Sequence, residues 1–334
     1  MKAAVLAENK PVTVIYHADC IDGFGAAYGA WCQFGDTANY YPIHHGQPWE
    51  TAKIAGHQVF ILDFSFPPNV LESMAGMAIS VTQIDHHVSA YQSWADRLQA
   101  GPNGLAVHHH PALPLTVIFD LEKSGARLAW EHFQPALPVP LMLLHIEDQD
   151  LWRFALPGTR AFCRGLRLQP FDFTIWHALV SQTPTTDAPR YREMLAHGTA
   201  IETYFQREIE GLAESHLRTP AQLRGDPVDA LQAVRHGQSV ITEGDLAWLT
   251  VRGIAVNANA LFASELGNLL AEKSGTFGLI WQLSGDGEIK ASLRSKGDFD
   301  VAAIAARYGG GGHRNAAGFR IAPAPFMADV LGLE

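Results

Sequence analysis

Cysteine is scarce in this sequence of 334 residues. The three cysteines are Cys20, Cys32 and Cys163, and none of them forms a C-x-x-C pair. Three thiols cannot all pair with one another, and small disulfide-stabilised domains contain far more of them. The sequence therefore excludes a disulfide scaffold, and the lack of a C-x-x-C pair argues against a structural zinc site with thiolate ligands.

Positive charge is also limited. Lysine and arginine together number 24, aspartate and glutamate number 34, and the formal net charge is −10. A protein that binds long duplex DNA usually carries a basic excess or a basic patch, because it must neutralise backbone phosphates. The acidic balance favours a small substrate or a short oligomer and argues against long duplex DNA as a partner.

Long apolar stretches are missing too. The sequence contains no run of about 18 apolar residues, which a membrane-spanning helix would need. Residues 1–11 lack the apolar core of a signal peptide. We therefore expect no membrane partner and a cytoplasmic location. Apolar residues still make up 47% of the chain, enough for a sizeable core, and the length suits two domains.

The apolar residues of the N-terminal part occur in short runs that are typical of buried strands. Four near-continuous runs are separated by longer stretches, some of them with helical character. This pattern predicts a parallel sheet that is covered by helices. The runs are Val12–Tyr16, Gln58–Leu62, Ser80–Ile84 and Leu115–Phe119.

The pattern changes after residues 181–189, a polar segment with two prolines. Such a segment is typical of a domain boundary, and the amphipathic run Arg190–Ser215 after it predicts a bridging helix. Later strand-like runs predict a smaller domain with a mixed sheet. We therefore predict a two-lobed α/β fold, with a parallel-sheet N-terminal domain over residues 1–185, a linker helix over 186–222 and a C-terminal domain over 223–334.

Three of the predicted strands run into acidic or histidine residues. Because ligands of open α/β sheets bind outside the carboxyl ends of the strands, these side chains are expected to converge on one site. Carboxylates and imidazoles suit Mn²⁺, Mg²⁺, Fe²⁺ or Zn²⁺. Two such cations, about 3.5–4 Å apart, can share a carboxylate and a hydroxide that attacks phosphorus. The residues are His17, Asp19 and Asp22 after the first strand, Asp63 after the second, and Asp85, His86 and His87 after the third.

A fourth acidic element lies farther along the chain, where Asp148 and Asp150 precede Trp152. Two acids at positions i and i+2 can form an arm that reaches the same metal site. They can equally mark the end of a helix that continues into an exposed acidic loop. Trp152 is interpreted as a core residue, like Trp176 and Trp281, although a tryptophan that faces a cleft can stack on a base.

A glycine-rich segment near the C-terminus predicts an anion-binding site. Four consecutive glycines, Gly309–Gly312, precede His313, and such a backbone can direct its N–H groups at an anion. Arg294 lies upstream in a short Ser-Leu-Arg-Ser strand, and its guanidinium suits bidentate contact with phosphate. The triplet His108–His110, in contrast, is predicted to lie in an exposed loop.

Taken together, these elements resemble the motifs of the DHH phosphoesterase superfamily. The resemblance extends from residue 17 to residue 318 and includes the Asp85-His86-His87 tripeptide. The segment Gly309–Gly318 is similar to the GGGH motif of the domain that often follows DHH domains. The resemblance implies two lobes with the active site in the cleft between them. It also implies two Mn²⁺ ions, with Mg²⁺ or another divalent cation as alternatives, and hydrolysis by a metal-bound hydroxide.

The resemblance further implies a role for each matching residue. The implied metal ligands are His17, Asp22, Asp63, His86 and Asp148. Asp63 would bridge the two ions, His87 would lie near the scissile phosphate, and Asp85 would orient the histidine pair. The residues that would hold the distal phosphate or sugar of the substrate are Arg294, Gly310, Gly311, Gly312 and His313.

One departure from the family pattern concerns the first motif. A histidine is commonly followed there by two aspartates, and the first of these falls on Cys20 when the motif is aligned from Asp22. Asp19 is the nearest carboxylate, and a hard oxygen ligand suits Mn²⁺. We therefore expect Asp19 to complete the first metal site, with a Cys20 thiolate or a water molecule as alternatives.

The sequence thus predicts a Mn²⁺-dependent phosphodiesterase that hydrolyses short oligonucleotides or small nucleotides to mononucleotides. Its C-terminal motif resembles that of short-oligonucleotide nucleases and nucleotide phosphatases. A hydrolase of phosphoanhydrides such as polyphosphate or pyrophosphate is the enzymatic alternative. A nucleotide sensor with a degenerate metal site is the non-catalytic alternative, and the oligomeric state is left open.

Overall fold

The structure is a computed structural model that describes residues 11–44 and 46–333. Residues 1–10, on which the expectation about a signal peptide depends, lie outside the described ranges. Within those ranges, no helix is both long enough and apolar enough to cross a bilayer. The chain divides into two compact units, Met1–Glu202 and Thr203–Glu334, and the predicted bridging helix, observed as Pro189–Glu214, spans the division.

The first unit alternates strands with helices along the chain. Its strands are β1 (Val12–His17), β2 (Asn39–Ile43), β3 (Gln58–Leu62), β4 (Ser80–Asp85), β5 (Gln99–Ala100), β6 (Ala106–His109) and β7 (Leu115–Phe119). Its helices are α1 (Ile21–Phe34), α2 (Pro68–Ala75), α3 (Val88–Trp94), α4 (Gly125–Phe133), α5 (Leu141–Asp150), α6 (Thr159–Leu166), α7 (Phe173–Gln182) and the first part of α8 (Pro189–Glu214).

In the described residues, the strands of the first unit form one seven-stranded sheet in the order β2-β1-β3-β4-β7-β6-β5. The first five strands of this order are parallel, and β6 and β5 continue the sheet as an antiparallel edge. Val14 of β1 packs in the core with α1 and α4, whereas Ile15 packs in the core with α2 on the opposite face. Both faces are thus covered, which explains the continuously apolar strand sequences and confirms the predicted parallel-sheet architecture.

Three strands of the first sheet are absent from the sequence prediction: β2, β5 and β6. Strand β2 was not predicted, and it contains Pro42, which the sheet accommodates because β2 is an edge strand. His108 and His109 lie in β6, which pairs with β7, and not in the predicted loop. The prediction of a loop over His108–His110 was therefore wrong for its first two residues.

The second unit contains a mixed sheet, as predicted. Its strands are β8 (Arg218–Pro227), β9 (Val240–Glu243), β10 (Leu246–Asn257), β11 (Phe277–Leu283), β12 (Ile289–Ser295), β13 (Gly311–His313) and β14 (Ala316–Ile321). Its helices after α8 are α9 (Ala230–Arg235), α10 (Ala263–Ser274), α11 (Val301–Ala306) and the short turn α12 (Pro323–Pro325), followed by a π-helical turn over Phe326–Val330. Strands β10 and β11 are parallel, and the other described pairings are antiparallel.

The register of the first sheet aligns the ends of its central strands. Tyr16 of β1 pairs with Leu62 of β3, and Leu62 pairs with Ile84 of β4. The residues that follow these three positions in the chain are His17, Asp63 and Asp85. They therefore lie at the same carboxyl edge of the sheet. This is the edge at which open α/β sheets bind their ligands.

Candidate metal centre

Asp63 lies in the middle of the side chains at this edge. Its Oδ1 is 3.2 Å from Nε2 of His86, and its Oδ2 is 3.6 Å from Nδ1 of His17. The carboxylate is 2% exposed. Because its two oxygens face histidines from different strands, Asp63 has the geometry of a ligand that two cations can share.

The backbone around Asp63 is unusual in two respects. Its φ is +51°, in the left-handed region that non-glycine residues rarely adopt, and its N–H donates to the carbonyl of Ile84 at 3.1 Å. Gly125 packs directly against the carboxylate, since a Cβ at that position would lie 2.5 Å from Cβ of Asp63. Burial acts to raise the pKa of Asp63, but the imidazoles of His17 and His86 hold this pKa well below its usual range.

His86 is surrounded by carboxylates. Its Nε2 lies 3.2 Å from Asp63, 3.5 Å from Asp150 and 3.6 Å from Asp22. Burial by itself would lower the pKa of His86, but the hydrogen bond with Asp63 and the charges of Asp150 and Asp22 raise it to about 10. Three carboxylates around one imidazole nitrogen create an excess of negative charge that a bound cation would balance.

Asp22, in the first turn of α1, is held by the N-terminus of α4. Its Oδ2 accepts a hydrogen bond from the N–H of Gly125 at 2.8 Å, and its Oδ1 accepts one from Ala126 at 2.9 Å. Burial and the charges of Asp63 and Asp150 nevertheless raise the pKa of Asp22 well above its usual range. A nearby divalent cation would reverse this shift, because it favours the ionised form.

Asp85 orients the histidines that follow it. Its Oδ1 accepts hydrogen bonds from Nδ1 of His87 at 2.6 Å and from the N–H of His86 at 2.8 Å, while Ser65 donates to Oδ2. Burial acts to raise the pKa of Asp85, but the His87 imidazole outweighs it and lowers this pKa. Asp85 therefore stands as a buried anion behind His87, in the arrangement expected of a residue that orients it.

The structure brings Cys20 to the cluster and directs Asp19 elsewhere. The Sγ atom of Cys20 lies within 4.8 Å of ligand atoms of His17 and Asp63. Asp19 has a left-handed backbone with φ of +55°, its side chain is 84% exposed, and its Oδ2 is 3.4 Å from Nε2 of His44. The structure therefore brings the Cys20 thiol, and not the Asp19 carboxylate, close to His17 and Asp63.

The structure likewise brings Asp150 to the cluster in place of Asp148. The carboxylate of Asp148 accepts hydrogen bonds from the N–H groups of Ala155 at 2.7 Å and Leu156 at 3.0 Å, and from Thr159 Oγ1 at 2.5 Å. Residues i and i+2 of a helix point about 200° apart. Only one of the two acids at the end of α5 can therefore face His86, and it is Asp150.

The predicted substrate residues Arg294 and His313 lie in the second unit, on the sheet. Arg294 in β12 and His313 in β13 are both paired with Ala316 of β14, one on each side. Directly opposed residues of an antiparallel sheet point to the same face, so the two side chains share one face, on strands whose backbones are about 10 Å apart. The half-buried guanidinium of Arg294 donates to Ser264 Oγ at 3.0 Å and to the carbonyl of Leu293 at 2.8 Å, and burial lowers its pKa.

The glycines before His313 serve close backbone packing. A Cβ on Gly310 would lie 2.1 Å from the carbonyl oxygen of Gly318, and one on Gly312 would lie 2.5 Å from that of Ala316. Gly312 also has a φ of +143°. A Cβ on Gly311 would meet nothing within 4 Å. Two of the three predicted glycines are therefore required by the hairpin of β13 and β14, and Gly311 is the one with open space beside it.

The donors of the first unit fit divalent cations. Among the described residues, the groups whose ligand atoms all lie within 4.8 Å of one another are His17, Cys20 and Asp63; Asp22, His86 and Asp150; and Asp63, Asp85, His86 and His87. Carboxylates and imidazoles suit Mn²⁺, Mg²⁺ or Fe²⁺, and a thiolate adds affinity for softer ions such as Zn²⁺. The sequence offered Cys20 as an alternative ligand, from the irregular first motif, and Asp150 as one of two acids in a possible metal arm, whereas Gly125 was not foreseen.

Comparison with known proteins gives matches in sequence and in structure. Residues 252–331 match the DHHA1 domain family. The uncharacterized protein R106 of Acanthamoeba polyphaga mimivirus is 29% identical over 335 residues, which cover 95% of this chain and 69% of that protein. The DHHA1 match covers β12, β13 and β14 and confirms the predicted DHH-associated C-terminal domain.

Two solved structures are similar to the chain. The Mn²⁺ complex of RecJ from Thermus thermophilus has a TM-score of 0.45 and 15% identity, covering 96% of this chain and 50% of RecJ. The pGpG-specific phosphodiesterase PggH from Vibrio cholerae has a TM-score of 0.43 and 13% identity, covering 95% of each chain. This chain therefore spans half the length of the RecJ structure and nearly all of PggH.

Proposed function

We propose that this chain, a member of the DHH superfamily with a DHHA1 domain over residues 252–331, is a metal-dependent phosphodiesterase that hydrolyses short oligonucleotides or small nucleotides to mononucleotides. The observation that carries the proposal is the position of Asp63. Its oxygens lie 3.6 Å from His17 and 3.2 Å from His86, between two sets of donors. Enzymes that cleave phosphate esters with two cations use a carboxylate in this position.

The geometry supports a proposal of two ligand sets. The proposed sets are His17, Cys20 and Asp63 for one cation, and Asp22, Asp63, His86 and Asp150 for the other. Bound there, divalent cations would lower the pKa of water and stabilise negative charge on the phosphoryl oxygens. Mn²⁺ suits both sets, and Mg²⁺ suits the carboxylate-rich second set.

His87 is proposed to act on the substrate directly. Asp85 accepts the Nδ1 proton of His87 at 2.6 Å, which fixes the ring and directs Nε2 away from Asp85. Burial lowers the pKa of His87, but the charge of Asp85 and this hydrogen bond outweigh it and raise the pKa. A protonated imidazole can donate from Nε2 to a phosphoryl oxygen or to the leaving oxygen.

The second unit is proposed to bind the part of the substrate that does not react. Arg294 and His313 share one face of the sheet, and Arg294 is fixed by Ser264. A fixed guanidinium is suited to phosphate. The net charge of −10 favours a short substrate, because a long polyanion would be repelled over most of the surface.

A substrate panel tests the proposal. The purified chain, supplied with Mn²⁺, is incubated with dinucleotides, longer oligomers, 3′,5′-bisphosphonucleotide and polyphosphate, and the products are separated by chromatography. We expect mononucleotides from dinucleotides, and no turnover in excess chelator. Orthophosphate released only from polyphosphate would indicate the phosphoanhydride hydrolase, and tight nucleotide binding without turnover would indicate the sensor.

A further inference from the structure

The loop after α5 holds two aromatic residues in an unfavourable backbone conformation. Trp152 has a φ of +56° and Phe154 a φ of +49°, both in the left-handed region. Aromatic residues rarely adopt this conformation, and it persists only where the surroundings enforce it. Two such residues within three positions indicate that the surrounding structure holds the loop in a conformation that its own backbone preferences disfavour.

Asp148 enforces this conformation. Its backbone carbonyl accepts hydrogen bonds from the N–H groups of Arg153 at 2.9 Å and Phe154 at 3.2 Å. Its side chain accepts two more from Ala155 and Leu156, at 2.7 Å and 3.0 Å. One buried residue thus holds four consecutive N–H groups, which makes the loop a fixed support for the side chains that it carries.

The loop presents an indole to solvent. Trp152 is 41% exposed, whereas Trp176 is completely buried. Phe154 meets Trp152 edge to face, with the ring centroids 4.9 Å apart, and the Arg160 guanidinium lies 3.5 Å from the Phe154 centroid and 5.2 Å from that of Trp152. Arg160 therefore lies over one face of the indole, while 41% of the residue remains open to solvent.

The same turn of chain supplies a proposed metal ligand. Asp150 precedes Trp152 by two residues, and its Oδ2 is 3.5 Å from Nε2 of His86. The backbone between them is fixed, because the N–H of Leu151 donates to Glu147 and that of Trp152 to Gln149, both at 3.0 Å. Residues two positions apart have Cα atoms at most about 7 Å from each other, so the indole is within reach of a nucleotide whose phosphate contacts Asp150 and His86.

We propose that Trp152 is a stacking platform for a nucleobase of the substrate. This inference rests on the proposed function and adds to it a subsite for a purine or pyrimidine next to the cleaved bond. Stacking on a tryptophan tolerates every base, because each base presents a flat π face. The subsite would therefore favour nucleotides over base-free phosphodiesters and polyphosphate without selecting one sequence.

Kinetics with matched substrates test the platform. A dinucleotide is compared with its abasic analogue, which has the same phosphodiester and no bases, in wild type, Trp152→Ala and Trp152→Phe. We expect Trp152→Ala to raise KM for the dinucleotide by about 5- to 150-fold, which corresponds to the loss of about 1–3 kcal/mol from one stacked base. KM for the abasic analogue should stay at its wild-type value, and Trp152→Phe should retain most of the affinity.

A control variant and a binding measurement complete the test. Tyr204→Ala removes another exposed aromatic ring, 64% exposed and distant in sequence, and should leave both KM values unchanged. Calorimetric binding of a nucleoside monophosphate needs no turnover, so weaker binding in Trp152→Ala supports the platform even if no substrate is hydrolysed. The stacking proposal would be overturned if Trp152→Ala raised KM equally for the dinucleotide and the abasic analogue. It would also be overturned if neither KM nor the binding of the nucleoside monophosphate changed. A shift in oligomeric state in Trp152→Ala without any base-dependent effect would overturn it too, since that result would assign the indole to a protein interface.

Discussion

The carboxylate of Asp63 can be replaced by a neutral group of the same shape. Asp63→Asn removes the charge that a ligand shared by two cations must supply. We expect kcat at saturating Mn²⁺ to fall by at least about 100-fold, because metal ions contribute several kcal/mol of charge stabilisation. Asp19→Asn, at a carboxylate that is 84% exposed, is the matched control and should stay near wild type. A folded Asp63→Asn variant with a normal rate would contradict the bridging role.

The proposed Cys20 ligand predicts a spectroscopic signature for the cation that His17, Cys20 and Asp63 would hold. A thiolate bound to Co²⁺ produces a charge-transfer band in the near ultraviolet, which carboxylate and imidazole ligands do not produce. We expect this band in the Co²⁺-loaded chain, its loss in Cys20→Ser, and its retention in Asp19→Ala with full metal content. The band should also weaken as pH falls, because a thiolate ligand must be deprotonated. Persistence of the band in Cys20→Ser, or loss of metal in Asp19→Ala, would rule out the Cys20 site.

At the scale of elements, the N-terminus of α4 organises the acids of the metal centre. The N–H groups of Gly125 and Ala126 donate to both oxygens of Asp22. The missing side chain of Gly125 leaves the space that Asp63 occupies. One helix end therefore sets the positions of two carboxylates from separate elements, Asp22 in α1 and Asp63 after β3. Favourable alignment of the helix dipole with the Asp22 anion adds to this stabilisation.

Gly125→Ala tests this arrangement. The added Cβ would lie 2.5 Å from Cβ of Asp63, so the carboxylate must move. We expect metal affinity and turnover to fall about 10- to 100-fold, as for other residues that support metal ligands. Gly211→Ala in α8, where a Cβ meets nothing within 4 Å, is the control and should leave metal affinity unchanged. Wild-type affinity in a metal titration of Gly125→Ala would show that Asp63 does not depend on this contact.

The elements also show what the sequence could and could not reveal. The apolar runs before His17, Asp63 and Asp85 were sufficient to predict three strands and their shared edge. The choice between Asp148 and Asp150 depends on where α5 ends and which side of it faces the sheet, and spacing alone does not settle that. The role of Gly125 depends on a contact with a residue 62 positions earlier in the chain, which no local pattern encodes.

For the whole molecule, the buried acids are stabilised in different ways. Asp148 is neutralised by backbone N–H groups, and Asp85 by His87. Asp22 has backbone donors too, yet burial and its acidic neighbours still raise its pKa. The negative charges of Asp148 and Asp85 are therefore stabilised by groups of the protein itself. The ionised form of Asp22 would gain the most stabilisation from a bound cation. The fold thus offsets the charges of Asp85, Asp148 and Asp63 with its own groups, and a bound cation would contribute most at Asp22.

A buried histidine that joins three helices is expected to make the stability of the fold depend on pH. His145 of α5 is 1% exposed, its Nδ1 is 2.9 Å from Thr159 Oγ1 of α6, and its Nε2 is 2.9 Å from the Tyr191 hydroxyl of α8. Burial lowers the pKa of His145 to about 4, although the charge of Asp148 opposes this. In the unfolded chain its pKa is about 6.5. Between these values the unfolded state binds a proton that the folded state excludes.

The contribution of His145 to the free energy of unfolding should therefore be largest above pH 6.5. It should fall as the pH decreases towards 4. We expect wild type to lose about 2–3 kcal/mol more than His145→Gln over this interval, from a pKa difference of about 2.5 units. Denaturant unfolding at several pH values, with chelator present throughout to exclude metal linkage, measures the difference. His109→Gln, at an exposed histidine, should follow the wild-type profile. Parallel profiles for wild type and His145→Gln would mean that protonation of His145 does not drive the loss of stability, whatever the baseline stability of the variant.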